Sequence, residues 1–141
     1  MKLRDIMTSP VIRIGAGESV EVAARQLAYY NIGAMPVCDQ RGKLCGLVTD
    51  RDLVTRCIAS NRDPAETTVR QVMSGQVITA DAGMDVAVAA HLMGRQQIRR
   101  LPVTEQGKLC GIVSLGDLAK REESAMDAAD ALTDISGNIS C

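Results

Sequence analysis

The feature that most constrains the fold is an internal duplication. Shifting the chain by 66 residues superimposes Met7 on Met73, Val11-Ile12 on Val77-Ile78, Ala16-Gly17 on Ala82-Gly83, and Pro36-Val37 on Pro102-Val103. Arg41 has no counterpart, so the shift becomes 65 from Gly42-Lys43 onward. One added residue between matching segments is what a hairpin loop tolerates. The chain therefore holds two copies of one supersecondary unit.

Each copy predicts the element order strand, helix, strand, strand, helix. In the first copy we expect a strand over 11–14, a helix capped by Ser19, a hairpin of strands 34–38 and 44–49, and a helix over 50–59. The second copy predicts hairpin strands at 100–104 and 109–114 and a last helix over 115–122. Apolar residues recur at helical spacing on the first helix of each copy. These faces comprise Val20, Ala23, Ala24, Leu27 and Ala28, and then Val86, Ala89, Ala90, Met93 and Gly94.

The pattern divides the chain into repeats at 1–60 and 68–121, a polar linker at 61–67 and a tail at 122–141. The tail residues that can share one helical face are Ala125, Met126, Ala129, Leu132 and Ile135, and Gly137 is expected to end that helix. A packing or dimerisation helix is the first interpretation of the tail. A regulatory segment is the alternative.

Composition and charge narrow the functional classes. Aromatic residues make up 1% of the chain and hydrophobic residues 46%, so aliphatic side chains and methionine must build the core. A net charge of −1 provides no electrostatic footprint for nucleic acid or an anionic membrane. No apolar run reaches the roughly 18 residues of a transmembrane helix, and Asp5 stands where a signal peptide would be apolar. We therefore expect a cytoplasmic protein.

The cysteines form no Cys-x-x-Cys pair; they are Cys38, Cys45, Cys57, Cys110 and Cys141. With a single histidine in the chain, the sequence predicts no metal site. Reduced, structural thiols are expected in the cytosol. A pairing of Cys141 with Cys38 or with another chain is left open, as is a redox or metal-responsive role for these two residues.

Each repeat ends its last strand at a hydroxyl residue that is followed three positions later by an aspartate. These pairs are Thr49 with Asp52 and Ser114 with Asp117. The spacing is that of a helix N-cap with a capping box. It also places a hydroxyl, a carboxylate and free backbone N–H groups at a strand-to-helix junction. Helix capping alone is one interpretation of the pairs, and a ligand site is the other.

The repeat pattern, with its Gly-apolar-apolar-Thr/Ser-x-x-Asp ending, resembles the CBS (cystathionine β-synthase) domain. The resemblance covers about residues 3–120 and is carried by segments 5–7, 32–37 and 46–52 and by their counterparts 72–73, 98–103 and 111–117. It implies an α/β (α+β) fold of tandem β-α-β-β-α repeats packed as a pseudo-twofold pair, a Bateman module, plus a C-terminal helical tail. The short chain is similar to bacterial stand-alone CBS-pair proteins.

The resemblance also implies a binding site, because Bateman modules bind adenosine-containing ligands in clefts between the two repeats. Asp52 and Asp117 match carboxylates that accept hydrogen bonds from the ribose hydroxyls. Thr49 and Ser114 match hydroxyl residues that reach toward phosphate or ribose. The segments that match those enclosing the adenine, mainly through backbone contacts, lie near Ile12, Ile78, Ala34-Met35 and Arg100-Leu101.

The two sites are not expected to be equivalent. Arg99 and Arg100 enter the second hairpin, at the positions of Gly33 and Ala34 in the first. In the family, basic residues at these positions contact phosphates, which suits the fork geometry of guanidinium. The alternative is that the arginines are solvated or pair with acids of another subunit.

The resulting hypothesis is a non-catalytic regulatory module that senses AMP, ADP, ATP or a related adenosine compound. The sequence has no Ser/His/Asp set and no P-loop, so we expect neither an enzyme nor a required cofactor. The resemblance implies a homodimer. One alternative is a structural or interaction protein with vestigial clefts, and another is the cysteine-based redox or metal-responsive sensor.

Overall fold

The structure, a computed structural model, describes residues 1–119, 129–133 and 135. It divides into two compact units. The first unit is the continuous stretch Ile12–Val77, and the second combines Met1–Val11 with Ile78–Cys141. Among the described residues, no helix has both the length and the apolar character needed to cross a membrane.

The first unit contains a three-stranded sheet in the order β1-β2-β3. β1 pairs parallel with β2, and β2 pairs antiparallel with β3. Its elements are β1 (Ile14–Gly15), α1 (Val20–Tyr30), β2 (Ala34–Cys38), β3 (Leu44–Thr49), α2 (Asp50–Leu53), a π turn that continues α2 (Val54–Ile58), and α3 (Val69–Val72).

The second unit repeats this topology with the sheet order β4-β5-β6. Its elements are a 3₁₀ turn (Leu3–Asp5), β4 (Ala80–Asp81), α4 (Val86–Gln96), β5 (Arg100–Glu105), β6 (Lys108–Ser114) and α5 (Leu115–Ala119). Residues 129–133 and 135 are also helical. The predicted fold class, tandem mixed α/β repeats with a helical tail, is confirmed.

Local chemistry explains where the elements begin and turn. The Ser19 hydroxyl accepts a hydrogen bond from Val22 N (3.1 Å), which caps α1 as predicted, and Asp85 caps α4 in the same way through Ala87 N (2.9 Å). Gly42 and Gly107 close the hairpins with φ of 83° and 80°. Only glycine adopts this left-handed backbone without a steric cost, so the turn residues fix the hairpin register.

Two predicted elements differ from the structure. The first strand is Ile14–Gly15 rather than 11–14, because its ladder with β2 consists only of Ile14 opposite Val37 and Gly15 opposite Cys38. The helix predicted over 50–59 is α-helical only to Leu53 and continues as a π turn to Ile58. Apolar periodicity does not distinguish α-helical turns from π-helical turns.

Each unit is completed by a segment from the neighbouring repeat. Leu3 is fully buried in the core of the second unit, and its counterpart Val69 is fully buried in the core of the first. Thr8 exchanges two backbone hydrogen bonds with Ile112 (2.9 and 3.1 Å), while Ser74 does the same with Leu47 (2.9 and 3.0 Å). The compact units therefore divide the chain at other points than the repeats do. The predicted boundaries at 60, 67 and 121 stay a prediction.

Glycine permits this close approach at the third strand of each unit. A Cβ built on Gly46 would lie 2.6 Å from Ser74 O and 2.6 Å from Met73 Sδ, and one built on Gly111 would collide with Met7. Real Cβ atoms do not come this close to a backbone oxygen, so any side chain at Gly46 would displace the segment that contains Met73 and Ser74.

The described tail residues add to the core of the second unit. Ala131 (2% exposed) and Ile135 (6%) belong to the cluster that contains Ala90 and Met93. Of the residues predicted to share one helical face, Ile135 is buried, whereas Ala129 is exposed and Leu132 is 43% exposed. Ala125, Met126, Gly137 and Cys141 lie outside the described residues.

The first unit's helix α1 buries a narrower face than predicted. Val20, Ala23 and Leu27 are buried, but Ala24 and Ala28 are exposed. In α4 the whole predicted face is buried, including Ala90 and Gly94. The core cluster of the second unit also contains the tail residues Ala131 and Ile135.

We predict that Gly46→Ala lowers the free energy of unfolding by about 1–3 kcal/mol, the usual cost of overpacking. Gly75→Ala is the matched control, because a Cβ there meets nothing within 4 Å. Urea unfolding followed by circular dichroism measures both variants. Equal midpoints for the two variants would show that the close approach does not stabilise the fold.

Candidate ligand site at the strand-to-helix junctions

Both predicted capping boxes are present. Thr49 Oγ1 accepts a hydrogen bond from Asp52 N (3.1 Å), and Thr49 N donates to Asp52 Oδ2 (2.9 Å). Ser114 and Asp117 form the same two bonds at 3.1 and 2.9 Å. Each box fixes a hydroxyl and a carboxylate at the point where a strand becomes a helix.

The caps use only part of each side chain's hydrogen-bonding capacity. Each aspartate is engaged through Oδ2, so the cap leaves Oδ1 available as an acceptor. Each hydroxyl accepts a bond from an amide and can still donate its proton. At the first junction, Asp52 Oδ1 lies 3.9 Å from Arg56 Nε, and the Asp52 side chain is 17% exposed. Helix capping and ligand binding can therefore use different atoms of the same residues.

The sheet register brings the hairpin entry beside each junction. Ala34 is the ladder partner of Thr49, and Arg100 is the ladder partner of Ser114. The first amide of each following helix donates back to the hairpin entry: Asp50 N to Gly33 O and Leu115 N to Arg99 O, both at 3.0 Å. The predicted proximity of each hairpin entry to its junction follows from antiparallel strand pairing within each unit.

The second junction opens into a cavity of about 450 Å³. Its polar wall is formed by Arg99, Arg100, Ser114 and Gly116, and its apolar wall by Leu115, Ala119, Ala129 and Leu132. The cavity therefore brings both predicted arginines together with the predicted hydroxyl, but Asp117 does not line it. Ala129 and Leu132 come from the tail, and sequence reasoning missed them because their contact with the junction is not local.

The first junction differs in its charge. The cavity nearest to it in sequence, about 420 Å³, is lined mainly by apolar side chains and includes Asp50, but neither Thr49 nor Asp52 lines it. The hairpin entry there carries no cationic side chain, since its residues are Gly33 and Ala34. An anionic group thus has cationic partners at the second hairpin entry but not at the first.

The remaining predicted residues take less direct positions. Ile12 is partly buried against the core of the first unit, and Ile78 is 37% exposed just before β4. Met35 and Leu101 are fully buried in the two cores. Their side chains pack inward, so their strands can offer a ligand backbone groups rather than these side chains.

The described thiols are all free: Cys38, Cys45, Cys57 and Cys110. Burial raises the pKa of the Cys110 thiol, and nearby Glu105 and Asp81 raise it further. Burial also raises the pKa of Cys38, against the opposing effect of Arg13. Within residues 1–119, 129–133 and 135, no group of three or more His, Cys, Asp or Glu side chains is arranged to hold a metal ion.

We predict that Ser114→Ala lowers the free energy of unfolding by about 1 kcal/mol, the usual value of an N-cap. Ser114→Thr is the control, because the chain uses threonine at the equivalent position 49. Chemical unfolding of both variants tests the cap without any ligand. A Ser114→Ala variant as stable as the parent chain would mean that the hydroxyl does not cap α5.

Comparison with known families gives the class of protein. The CBS domain family profile matches residues 3–58 and 69–124. The chain therefore belongs to the CBS domain family and carries a pair of CBS repeats, a Bateman module, which confirms the predicted resemblance. CBS-pair proteins are generally regulatory, ligand-binding modules.

Individual relatives match along most of their length. The CBS domain-containing protein YhcV of Bacillus subtilis is 41% identical over 134 residues, which are 95% of this chain and 94% of that protein. Hypoxic response protein 1 of Mycobacterium tuberculosis is 33% identical over 117 residues, covering 83% of this chain and 82% of that protein.

Solved structures agree with this assignment. Hypoxic Response Protein I, crystallised with two coordinated zinc ions, superimposes with a TM-score of 0.79 at 32% identity, over 86% of this chain and 98% of that one. The CBS domain pair of protein MJ0100, in complex with 5-methylthioadenosine and S-adenosyl-L-methionine, gives a TM-score of 0.74 at 30% identity, over 85% and 94%.

Proposed function

We propose that the chain is a non-catalytic regulatory module that binds an adenosine compound carrying phosphate, with the main anion contacts at the second junction. The observation that carries this proposal is the convergence of Arg99, Arg100 and Ser114 on one cavity of about 450 Å³. The MJ0100 pair, which binds two adenosine-containing ligands, supports the choice of ligand class.

The roles of the side chains follow from their chemistry. The Oδ1 atom of Asp117, which the cap does not use, accepts a hydrogen bond from a ribose hydroxyl. The Ser114 hydroxyl donates its proton to a ligand oxygen. Arg99 and Arg100 provide paired guanidinium donors for a phosphate. Two adjacent cations favour AMP, ADP or ATP over the sulfonium cation of S-adenosylmethionine.

The first junction is proposed as the weaker site for phosphorylated ligands. Thr49 and Asp52 supply the same hydroxyl and carboxylate, but Gly33 and Ala34 offer no cation at the hairpin entry. A ligand regulates such a module only by binding two of its states with different affinity. Unequal sites give the chain one way to distinguish phosphorylated from neutral adenosine compounds.

Zinc is not proposed as the ligand. Hypoxic Response Protein I was crystallised with two coordinated zinc ions, but in the described part of this chain no cluster of three candidate metal ligands exists. A disulfide of Cys38 with Cys141 is also not proposed, since Cys141 lies outside the described residues and Cys38 is buried.

Isothermal titration tests the ligand proposal. AMP is expected to bind more tightly than adenosine, and Arg99→Ala or Arg100→Ala is expected to weaken AMP binding by about tenfold or more, as for one charge-assisted hydrogen bond. Neither substitution should change adenosine binding. Asp117→Ala is expected to weaken both ligands, and Asp52→Ala is expected to have a smaller effect on AMP.

Arg95→Ala is the matched control, because Arg95 is an exposed arginine in the last turn of α4 of the same unit. An unfolding curve for each variant separates lost binding from lost folding. Absence of heat for AMP, ADP, ATP, S-adenosylmethionine and adenosine would contradict the proposal. It would favour the structural or interaction protein with vestigial clefts.

We also propose that a second copy of the chain covers the helices of the first unit. Tyr29, Val54 and Ile58 are large hydrophobic side chains that are 83%, 57% and 56% exposed. Val54 and Ile58 line the apolar groove of about 420 Å³ between α1 and α2. Homodimers built through helices are what the family resemblance implies, and burying this groove would stabilise one.

Ile58→Glu is expected to weaken the dimer by at least about tenfold, because it places a charge in an apolar interface. Val88→Glu is the control, since Val88 is 52% exposed on α4 of the second unit. Sedimentation equilibrium measures both variants against the parent chain. A parent chain that stays monomeric at high concentration would overturn the dimer.

A further inference from the structure

The first unit contains a second cavity, of about 610 Å³, at its hairpin end. The turn 15–18, the hairpin residues 38–41 and Arg70 line it. Cys38 is the last residue of β2, whereas Ala34, which pairs with the junction residue Thr49, is the first. The cavity thus lies at the opposite end of β2 from the junction, and the proposed adenosine site does not account for it.

Three arginines lie at or beside this cavity. Arg41 and Arg70 line it. The guanidinium of Arg13 lies near enough to the Cys38 thiol in the cavity wall to oppose the rise of the Cys38 pKa. Arg13 Nη1 also lies 3.9 Å from the Cβ position of Gly42 at the hairpin tip. Within the described part of the chain, none of the three arginines forms an ion pair shorter than 4.0 Å.

Two carboxylates also line the cavity, and one of them is already engaged. Asp39 Oδ1 accepts hydrogen bonds from Arg41 N (2.8 Å) and Lys43 N (2.9 Å), which shape the hairpin turn. These backbone bonds hold the pKa of Asp39 below its usual value. Glu18 is the other lining carboxylate. Two arginines and two carboxylates thus line the cavity, and Arg13 beside it brings the local count to three cations and two anions.

The second unit provides an internal comparison for this end of the scaffold. By the repeat alignment, Arg4 corresponds to Arg70, Asp81 to Gly15 and Thr79 to Arg13. A Cβ built on Gly83 would lie 3.1 Å from Asp81 Oδ2 and 3.2 Å from Arg4 Nη2, so a carboxylate and a guanidinium face the same point of that turn. The first unit has glycine in place of this carboxylate.

The first unit adds cations where the second has none. Arg13 replaces a threonine, and Arg41 is the one residue that interrupts the repeat. The same backbone framework thus carries Arg4 with Asp81 and Glu105 at this end of the second unit, and three arginines with Glu18 and Asp39 in the first. Stability alone does not require Arg13 and Arg41, because the second unit has the same sheet topology without arginines at these positions.

We propose that the hairpin-end cavity of the first unit binds a small oxyanion with two or more negative charges. Phosphate monoesters and dicarboxylates share this chemistry, and guanidinium groups bind both in a bidentate manner. The volume lies within the range of small-molecule sites. A Cβ built on Gly17 would meet nothing within 4 Å, so the turn is open to a ligand.

Nuclear magnetic resonance on the full-length chain tests the proposal, because it locates the site. Inorganic phosphate, succinate and adenosine are titrated separately at constant ionic strength set with chloride. We expect saturable shifts of the Gly15, Gly17 and Gly42 amides with phosphate, succinate or both, and none with adenosine. The two anion arms distinguish a phosphate site from a dicarboxylate site, and shifts that do not saturate with either anion would overturn the proposal.

Gly15→Asp installs the carboxylate that the second unit has at Asp81. The substitution is sterically compatible, because a Cβ at Gly15 makes only an ordinary contact of 3.7 Å with Glu18 Cγ. We expect anion binding to weaken by about tenfold or more in Gly15→Asp and to change by less than about threefold in the uncharged, equally large Gly15→Asn. Equal affinities in these two variants would overturn the proposal.

Arg70→Gln is expected to weaken anion binding by about tenfold as well, while Arg4→Gln, at the equivalent position of the second unit, leaves it unchanged. The backbone N–H of Arg70 that donates to Ala16 O (3.0 Å) is retained in the variant, so the fold is not disturbed. Equal losses in both variants would indicate a general charge effect and would contradict a specific site. AMP titrations of Arg99→Ala report separately on the junction.

Discussion

The fold depends on a reciprocal backbone contact between the last strand of each unit and a segment at the start of the other repeat. Leu47 with Ser74, and Ile112 with Thr8, exchange paired hydrogen bonds across a gap that admits no side chain. The same strands end at Thr49 and Ser114, where the capping boxes form. A contact that serves stability thus also positions the proposed ligand-binding residues.

The duplication supplies two scaffolds with nearly the same backbone, and the charges are distributed differently on each. In the second unit, Arg99 and Arg100 stand at the junction end of the sheet, next to Ser114. In the first unit, the added arginines Arg13 and Arg41 stand at the hairpin end, near Cys38. A few substitutions and one insertion, outside the cores, account for this contrast. The repeats differ in the charges they carry more than in how they fold.

The sequence was sufficient to predict the features that depend on local chemistry. Ser19, Thr49 and Ser114 cap helices because a hydroxyl next to free amides does so wherever it occurs. Strand pairing then placed Arg100 opposite Ser114. The exchanged segments could not be predicted, because each contributes only two buried apolar residues in a short stretch whose partners are distant in sequence, Leu3 with Ile6 and Val69 with Val72. The contribution of the tail residues Ala129 and Leu132 to the second-junction cavity was not predicted, for the same reason.

The exchange has a consequence for how the chain can be divided. The first unit is continuous from Ile12 to Val77, and it interrupts the second, whose two parts are contiguous only in space. A gene segment that encodes residues 12–77 carries every strand and core residue of its unit, including Val69 and Val72. A segment cut at the repeat boundary instead leaves these valines behind and exposes Leu3 to solvent. The sequence repeat and the folded unit therefore differ in their boundaries by about one short helix.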